Sequence, residues 1–322
     1  MARFEGQARR KRVAGTAFRI VCIGGTLIAL WWFLRGLDVA RLTSALRQAA
    51  PGPLALAMLF GVLGHGVRAW GWSIMLAPRH HPPFGRLLRF ELTSQAASAI
   101  TPARAGEGLR VWLLHRSDEV PAATTGALIG IKKLFEGVGL AVLALPAPWL
   151  VEALPGWAGN AVLLFAITMG TLVVLLAVYA RRDRSRSRPS IVRRLGDGLY
   201  FMRDNRRLAV ALVVAVFGEM LDLAAVVAIQ HALDLPLGLA AAAFVLFLVD
   251  TLNLLPSAPA HVGTFEVGVF TAFGLLGVQG EAVLAFALVF HLQQVLTQMV
   301  VGVPFLLAVF ITRRRLPAQE PA

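Results

Sequence analysis

"RRDRSRSRPSIVRRLGDGLYFMRDNRR", Arg181 to Arg207, divides the chain and governs how the rest of it can fold. Apolar runs flank it on both sides. An arginine-rich segment between two such runs is what the positive-inside bias of membrane proteins leaves on the cytoplasmic face. Arg9–Arg12 near the start and Arg313–Arg315 near the end carry the same instruction. Together the three markers set a parity for every stretch between them.

The remaining sequence suits a bilayer. The 322 residues are 57% hydrophobic and 15% charged, with a mean hydropathy of +0.69; a water-soluble domain cannot hide that much apolar surface. The runs Ala17–Leu34, Pro53–Ala77, Ala122–Leu150, Ala161–Ala180, Leu208–Leu233, Leu237–Leu254 and Ala282–Ile311 are mostly apolar, and each approaches or exceeds the roughly 20 residues that cross hydrocarbon. The expected fold is an all-α polytopic membrane protein with about 6–8 transmembrane helices. No cleavage pattern follows the first run, so it reads as an uncleaved helix. Its one cysteine, Cys22, is the only one in the chain and excludes an intrachain disulfide. The net charge of +13 reflects topology and an attraction of the basic loop to anionic lipid headgroups. Nucleic acid is not expected, because the arginines gather between spans and no aromatic-interleaved RNA motif accompanies them.

Parity isolates two segments. With residues 1–16, 181–207 and 313–322 cytoplasmic, the first membrane half is residues 17–180 and the second is residues 208–312. In the first half Phe90–His115 is left with no net crossing, and in the second the same holds for residues 235–280. Each segment contains a break: "ITPARAGEGLR", Ile100–Arg110, and "LPSAPAHVGTFE", Leu255–Glu266. Two re-entrant broken-helix pairs, one entering from each side, are what an inverted repeat produces, and such breaks form transporter binding sites at mid-membrane. Thr101-Pro102 reads as the cap and first turn of a half-helix running through Leu114. Gly263-Thr264 begins another, running through Phe273.

Ionisable side chains in spans are costly and mark function or pairing. His65 and Arg68 lie in the run Pro53–Ala77, Glu219 and Asp222 on one face of the run Leu208–Leu233, and Asp250 just before the second break. Lys132 and Lys133 stand four and three residues before Glu136, at ion-pair spacing. After the first break, Arg104, Glu107 and Arg110 recur every turn; a guanidinium near a helix N-terminus suits phosphate, and the same residues could instead clasp the turn. In the second break His261 and Glu266 are candidates for proton or cation binding. His291, Gln294 and Gln298 form a polar stripe on the last helix. The candidate substrate-binding residues are therefore Arg104, Glu107, Arg110, Arg68, His261, Glu266, Glu219 and Asp222. There is no Walker loop, no dinucleotide fingerprint, no HExxH and no GxSxG, so no catalytic residue, cofactor or metal is expected and the chain reads as non-enzymatic.

"PARAGEGLR", the upstream "VRAWGWSIML" at Val67–Leu76, the downstream "PSAPAHVGTFE" and the polar-striped last helix resemble the lysylphosphatidylglycerol synthase transmembrane, or flippase-like, domain family. The likeness runs from about residue 15 to 312. It departs where Pro259-Ala260-His261 replaces the family's Pro-Gly-Gly or Pro-Gly-Ser turn. The resemblance implies a bacterial cytoplasmic membrane and movement of an anionic or aminoacylated phospholipid, or of a polyprenyl-linked precursor, between leaflets. Only eleven residues follow Ile311, so the expectation is a stand-alone member without the aminoacyl transferase domain. Two other readings stay open: a membrane component of a lipid-glycan or aminoacyl-lipid transferase, with Glu219 and Asp222 as its acidic pair, and an anchor for an envelope-biosynthesis enzyme.

Overall fold

The computed structural model describes residues 40, 43, 44, 47, 49–77, 79–101, 105–182, 196, 198–235, 237–254 and 259–312. The run Ala17–Leu34, Cys22, Arg104, most of the basic loop and both terminal basic clusters lie outside the described residues.

Proline punctuates the chain. Helix α1, Pro51–Leu76, starts at Pro51 and carries Pro53 in its first turn; α2, Phe84–Ile100, follows Pro83; α4, Ala122–Ala144, follows Pro121. A proline at or just before the first turn costs the helix nothing, since that N–H has no intrahelical partner. Helix α3 is Ala105–Asp118, α5 is the short Ala147–Leu150 and α6 is Gly156–Arg182. A 3-10 turn, Tyr200–Arg203, leads into α7, Asn205–Ala232. The Asp204 carboxylate caps α7, accepting from the Arg206 N–H at 2.9 Å. Then come α8, Leu239–Asn253, a 3-10 turn at Pro259–His261, α9, Thr264–Leu275, and α10, Glu281–Thr312. No strand occurs among the described residues.

Four of these helices, α1, α6, α7 and α10, are long and apolar enough to cross a membrane. Helix α4 has a similar length but carries Lys132, Lys133 and Glu136. Large apolar side chains face outward on the long helices, among them Leu164 at 66%, Val213 at 66% and Val300 at 65% exposure. Such faces are stable in lipid and not in water. The chain is an all-α, multi-pass membrane protein.

Helices α1 and α7 run antiparallel along their whole length. The Ala50 N–H donates to the Ala232 carbonyl at 2.9 Å, and further along Gly218 faces Val67 and Gly71 faces Val214. Around this pair the order long helix, hairpin, long helix occurs twice: α1, α2–α3, α4, and then α7, α8–α9, α10. In the first hairpin a Cβ on Gly106 would stand 1.9 Å from the Ser94 carbonyl oxygen; in the second, one on Gly268 would stand 2.9 Å from Val249 Cα. Small residues let the arms approach to backbone contact, the packing that replaces hydrophobic drive in lipid. Arg86 at the start of α2 pairs with Asp118 at the end of α3 at 2.5 Å, so both ends of the first hairpin lie together.

One local expectation is corrected and one lies outside the described residues. Thr101 ends α2, its hydroxyl donating back to the Ala97 carbonyl at 2.5 Å; the cap and first turn expected at Thr101-Pro102 fall on residues 102–104, outside the described residues. The half-helix is described from Ala105 and runs four residues past Leu114, to Asp118, where the Arg86 ion pair closes it.

Candidate functional site

The hairpin tips converge on a cavity of about 190 Å³. The first contributes Gln95, Ser98 and Glu107, and the second Asn253 and His261. The long helices supply His65 and Arg68 from α1, Lys133 and Glu136 from α4, and Glu219 and Asp222 from α7; α8 adds Asp250. Gln293, Gln294, Thr297 and Gln298 of α10 complete the wall. Among the described residues the lining carries the carboxylates Glu107, Glu136, Glu219, Asp222 and Asp250 and the cations Arg68 and Lys133.

Arg68 organises the centre. Its guanidinium donates to the Asp222 carboxylate and lies 3.8 Å from Glu136. It folds back along its own helix, within 2.9 Å of where a Cβ on Gly64 would stand, so Gly64 makes room for it. Lys132 and Lys133 both reach Glu136, at 2.5 and 2.8 Å, as their spacing predicts. Glu219 and Asp250 take no hydrogen bond or ion pair from a described residue, and Glu219 is 4% exposed. Those two carboxylates are where a cationic or hydrogen-bond-donating group would gain most, since a buried unpaired carboxylate is costly. His65 is also buried, and its Nδ1 has no hydrogen-bond partner.

Of the eight candidate residues from the sequence, the structure brings Arg68, Glu107, Glu219, Asp222 and His261 together on the cavity wall. Arg104 lies outside the described residues. Arg110 stands apart from the cavity, between the hairpin arms and α1: it pairs with Glu91 at 2.9 Å, donates to Ser94 Oγ, and covers the Trp72 ring at 5.0 Å. Glu91 also accepts from the Trp72 indole N–H at 3.1 Å. Arg110 therefore clamps the hairpin onto α1 through Glu91, a carboxylate nineteen positions away in sequence and outside the break motif. Glu266 too lies off the cavity wall, pairing with His291 at 2.6 Å and accepting the Gly263 N–H at 2.7 Å to cap α9.

Gln293 was missed by the spacing argument. It donates to the Ala57 carbonyl at 3.0 Å, tying α10 to α1, and stands next to Gln294 on a helix whose polar stripe was read only at spacings of three and four. A run of adjacent polar residues in an apolar helix was the available signal. Glu91 had a signal of its own, a carboxylate inside "FELTSQAAS".

No curated protein sequence matches this chain. The family model for the lysylphosphatidylglycerol synthase TM region matches residues 16–302, which takes in every helix above except the end of α10. This chain belongs to the lysylphosphatidylglycerol synthase transmembrane region family.

Proposed function

We propose that this chain is a lipid translocator that carries a phospholipid headgroup through the cavity while the acyl chains stay in the bilayer. The observation behind it is a charged cavity enclosed by apolar membrane-crossing helices. Most of the cost of flipping a lipid lies in moving its polar headgroup through hydrocarbon, and this cavity offers charge and hydrogen bonds in place of water. Glu219 and Asp250, which take no hydrogen bond or ion pair from a described residue, favour a headgroup that carries an ammonium: it would meet those two carboxylates, and the phosphate would meet Arg68 and Lys133. In this reading the chain transports and catalyses nothing.

We read the two hairpins as re-entrant and the two triplets as an inverted repeat. Supporting this, Arg79 after α1 lies 4.6 Å over the Tyr200 ring before α7, so the first hairpin opens on the side of the arginine-rich loop. The second follows the far end of α7 and opens on the opposite side. Hairpins from opposite sides whose tips share one cavity are the arrangement alternating access uses. The basic loop and both termini would be cytoplasmic, in a bacterial inner membrane, with anionic lipid headgroups against the arginines.

The test is leaflet exchange in proteoliposomes, using labelled aminoacylated phosphatidylglycerol, plain phosphatidylglycerol and a polyprenyl phosphate, with wild type beside Arg68→Ala and Asp222→Asn. Exchange of the aminoacylated lipid that both substitutions abolish is the expected result. No exchange of any of the three by wild type would overturn the translocator reading and turn attention to an envelope-enzyme partner.

A further inference from the structure

His291 stands between two oxygens. Its Nδ1 is 2.6 Å from Glu266 Oε1, and its Nε2 is 2.8 Å from the Ala260 carbonyl oxygen. A backbone carbonyl can only accept, so Nε2 must carry a hydrogen and donate it. A neutral imidazole has a single N–H, which leaves Nδ1 bare, facing a carboxylate that is itself acceptor-only when ionised. The second contact forms only if the pair holds one more proton. That proton sits either on the ring, as an imidazolium donating from both nitrogens, or on Glu266, as an acid whose O–H donates to Nδ1. The other Glu266 oxygen is already engaged, accepting the Gly263 N–H at 2.7 Å.

We infer that the Glu266–His291 pair is a proton-binding site, and that its proton latches the tip of the second hairpin to α10. The inference rests on counting donors and acceptors and holds whichever lipid the cavity takes. The latched segment is one that would move if released. Ala260 and His261 adopt left-handed backbone at φ 55° and 60°, a region non-glycine residues avoid unless held there. The latch itself is rigid: the His291 ring stacks on Phe265 at 4.5 Å and its side chain is 3% exposed. With the proton gone, a lone pair faces a carboxylate across 2.6 Å and the Ala260 anchor loses its support.

Other ionisable groups near the tip line the cavity rather than the latch. Among the described residues they are His261 on the turn, Glu107 on α3, His65 and Arg68 on α1, Lys133 and Glu136 on α4, Glu219 and Asp222 on α7, and Asp250 on α8; α2 presents the uncharged Gln95 and Ser98. Glu266 forms its ion pair with His291. Because His261 lines the cavity, unlatching changes access to it from the side on which the second hairpin enters. Low pH closes the latch and rising pH releases it.

The experiment uses Val262→Cys, on the latched turn, in an otherwise full-length Cys22→Ser chain. Its reaction rate with a methanethiosulfonate is followed from about pH 5 to about pH 9. At each pH the rate is divided by that of the same cysteine combined with Glu266→Gln. The amide keeps every bond without a titrating proton, its oxygen accepting from Gly263 and its NH2 donating to neutral His291, so the ratio also cancels the titration of the thiol. The ratio should rise about tenfold across that range; a flat ratio overturns the inference. Should the Glu266→Gln chain fail to fold, the 15N resonances of His291 in the wild-type protein, assigned with His291→Gln, decide it. Ring nitrogen shifts that move over the same range support the site, and shifts that stay constant overturn it.

Discussion

Arg68 on α1 and Asp222 on α7 form an ion pair across the most extensive helix contact among the described residues, each side chain 18% exposed. Two helices otherwise joined by apolar and glycine contacts thereby carry a charge pair at the cavity wall. Removing one partner strands the other in a poorly solvated place, a loss of about 3–5 kcal/mol where a pair is well buried. Arg68→Met or Asp222→Leu alone should lower the thermal midpoint in detergent. The double substitution should recover most of that loss while leaving lipid exchange abolished. Recovery of exchange in the double variant would show that the pair is scaffold alone.

Arg110 should act on stability ahead of transport. Its guanidinium meets Glu91 and Ser94 and covers Trp72, a forked and stacked role that lysine cannot copy. Arg110→Lys should therefore unfold at lower temperature than wild type, and Glu91→Gln should do the same. An Arg110→Lys chain of wild-type stability with weakened exchange would instead make Arg110 a ligand of the headgroup.

Three glycines rank themselves by what a methyl group would hit. A Cβ at Gly106 meets the Ser94 carbonyl oxygen at 1.9 Å, at Gly302 the Leu92 carbonyl oxygen at 2.5 Å, and at Gly268 Val249 Cα at 2.9 Å. All three contacts are backbone, which gives way only by separating helices; overpacking of this kind costs about 1–3 kcal/mol or more. Alanine substitutions should lower thermal stability in the order Gly106, Gly302, Gly268. A Gly106→Ala chain as stable as wild type would mean the first hairpin is more open than described.

Arg86 and Asp118 give a direct test of the hairpin as a membrane feature. In a Cys22→Ser background, Arg86→Cys and Asp118→Cys should each react with a membrane-impermeant thiol reagent from the same side of sealed vesicles. Reaction from opposite sides would give residues 84–118 one net crossing and break the repeat.

By itself the sequence determined the lipid-facing class, the approximate positions of the described helices and the two breaks, because these follow from local properties: apolar length, proline and glycine placement, and arginine clustering. The ion pairs of Lys132 and Lys133 with Glu136 were legible for the same reason, since helical spacing alone brings them together. Which side chains share the cavity was decided by tertiary structure. Glu91 meets Arg110, Arg68 meets Asp222, and His291 meets Glu266 across separations of 19, 154 and 25 positions. Spacing within one helix says nothing about which face of another helix will lie opposite it. That is set by where small residues allow two backbones to close, at Gly106 on Ser94 and Gly302 on Leu92. Arg110 and Glu266 were therefore read as facing a substrate, whereas in the structure both hold protein partners, the buried Arg110 pairing with Glu91 and the part-exposed Glu266 with His291.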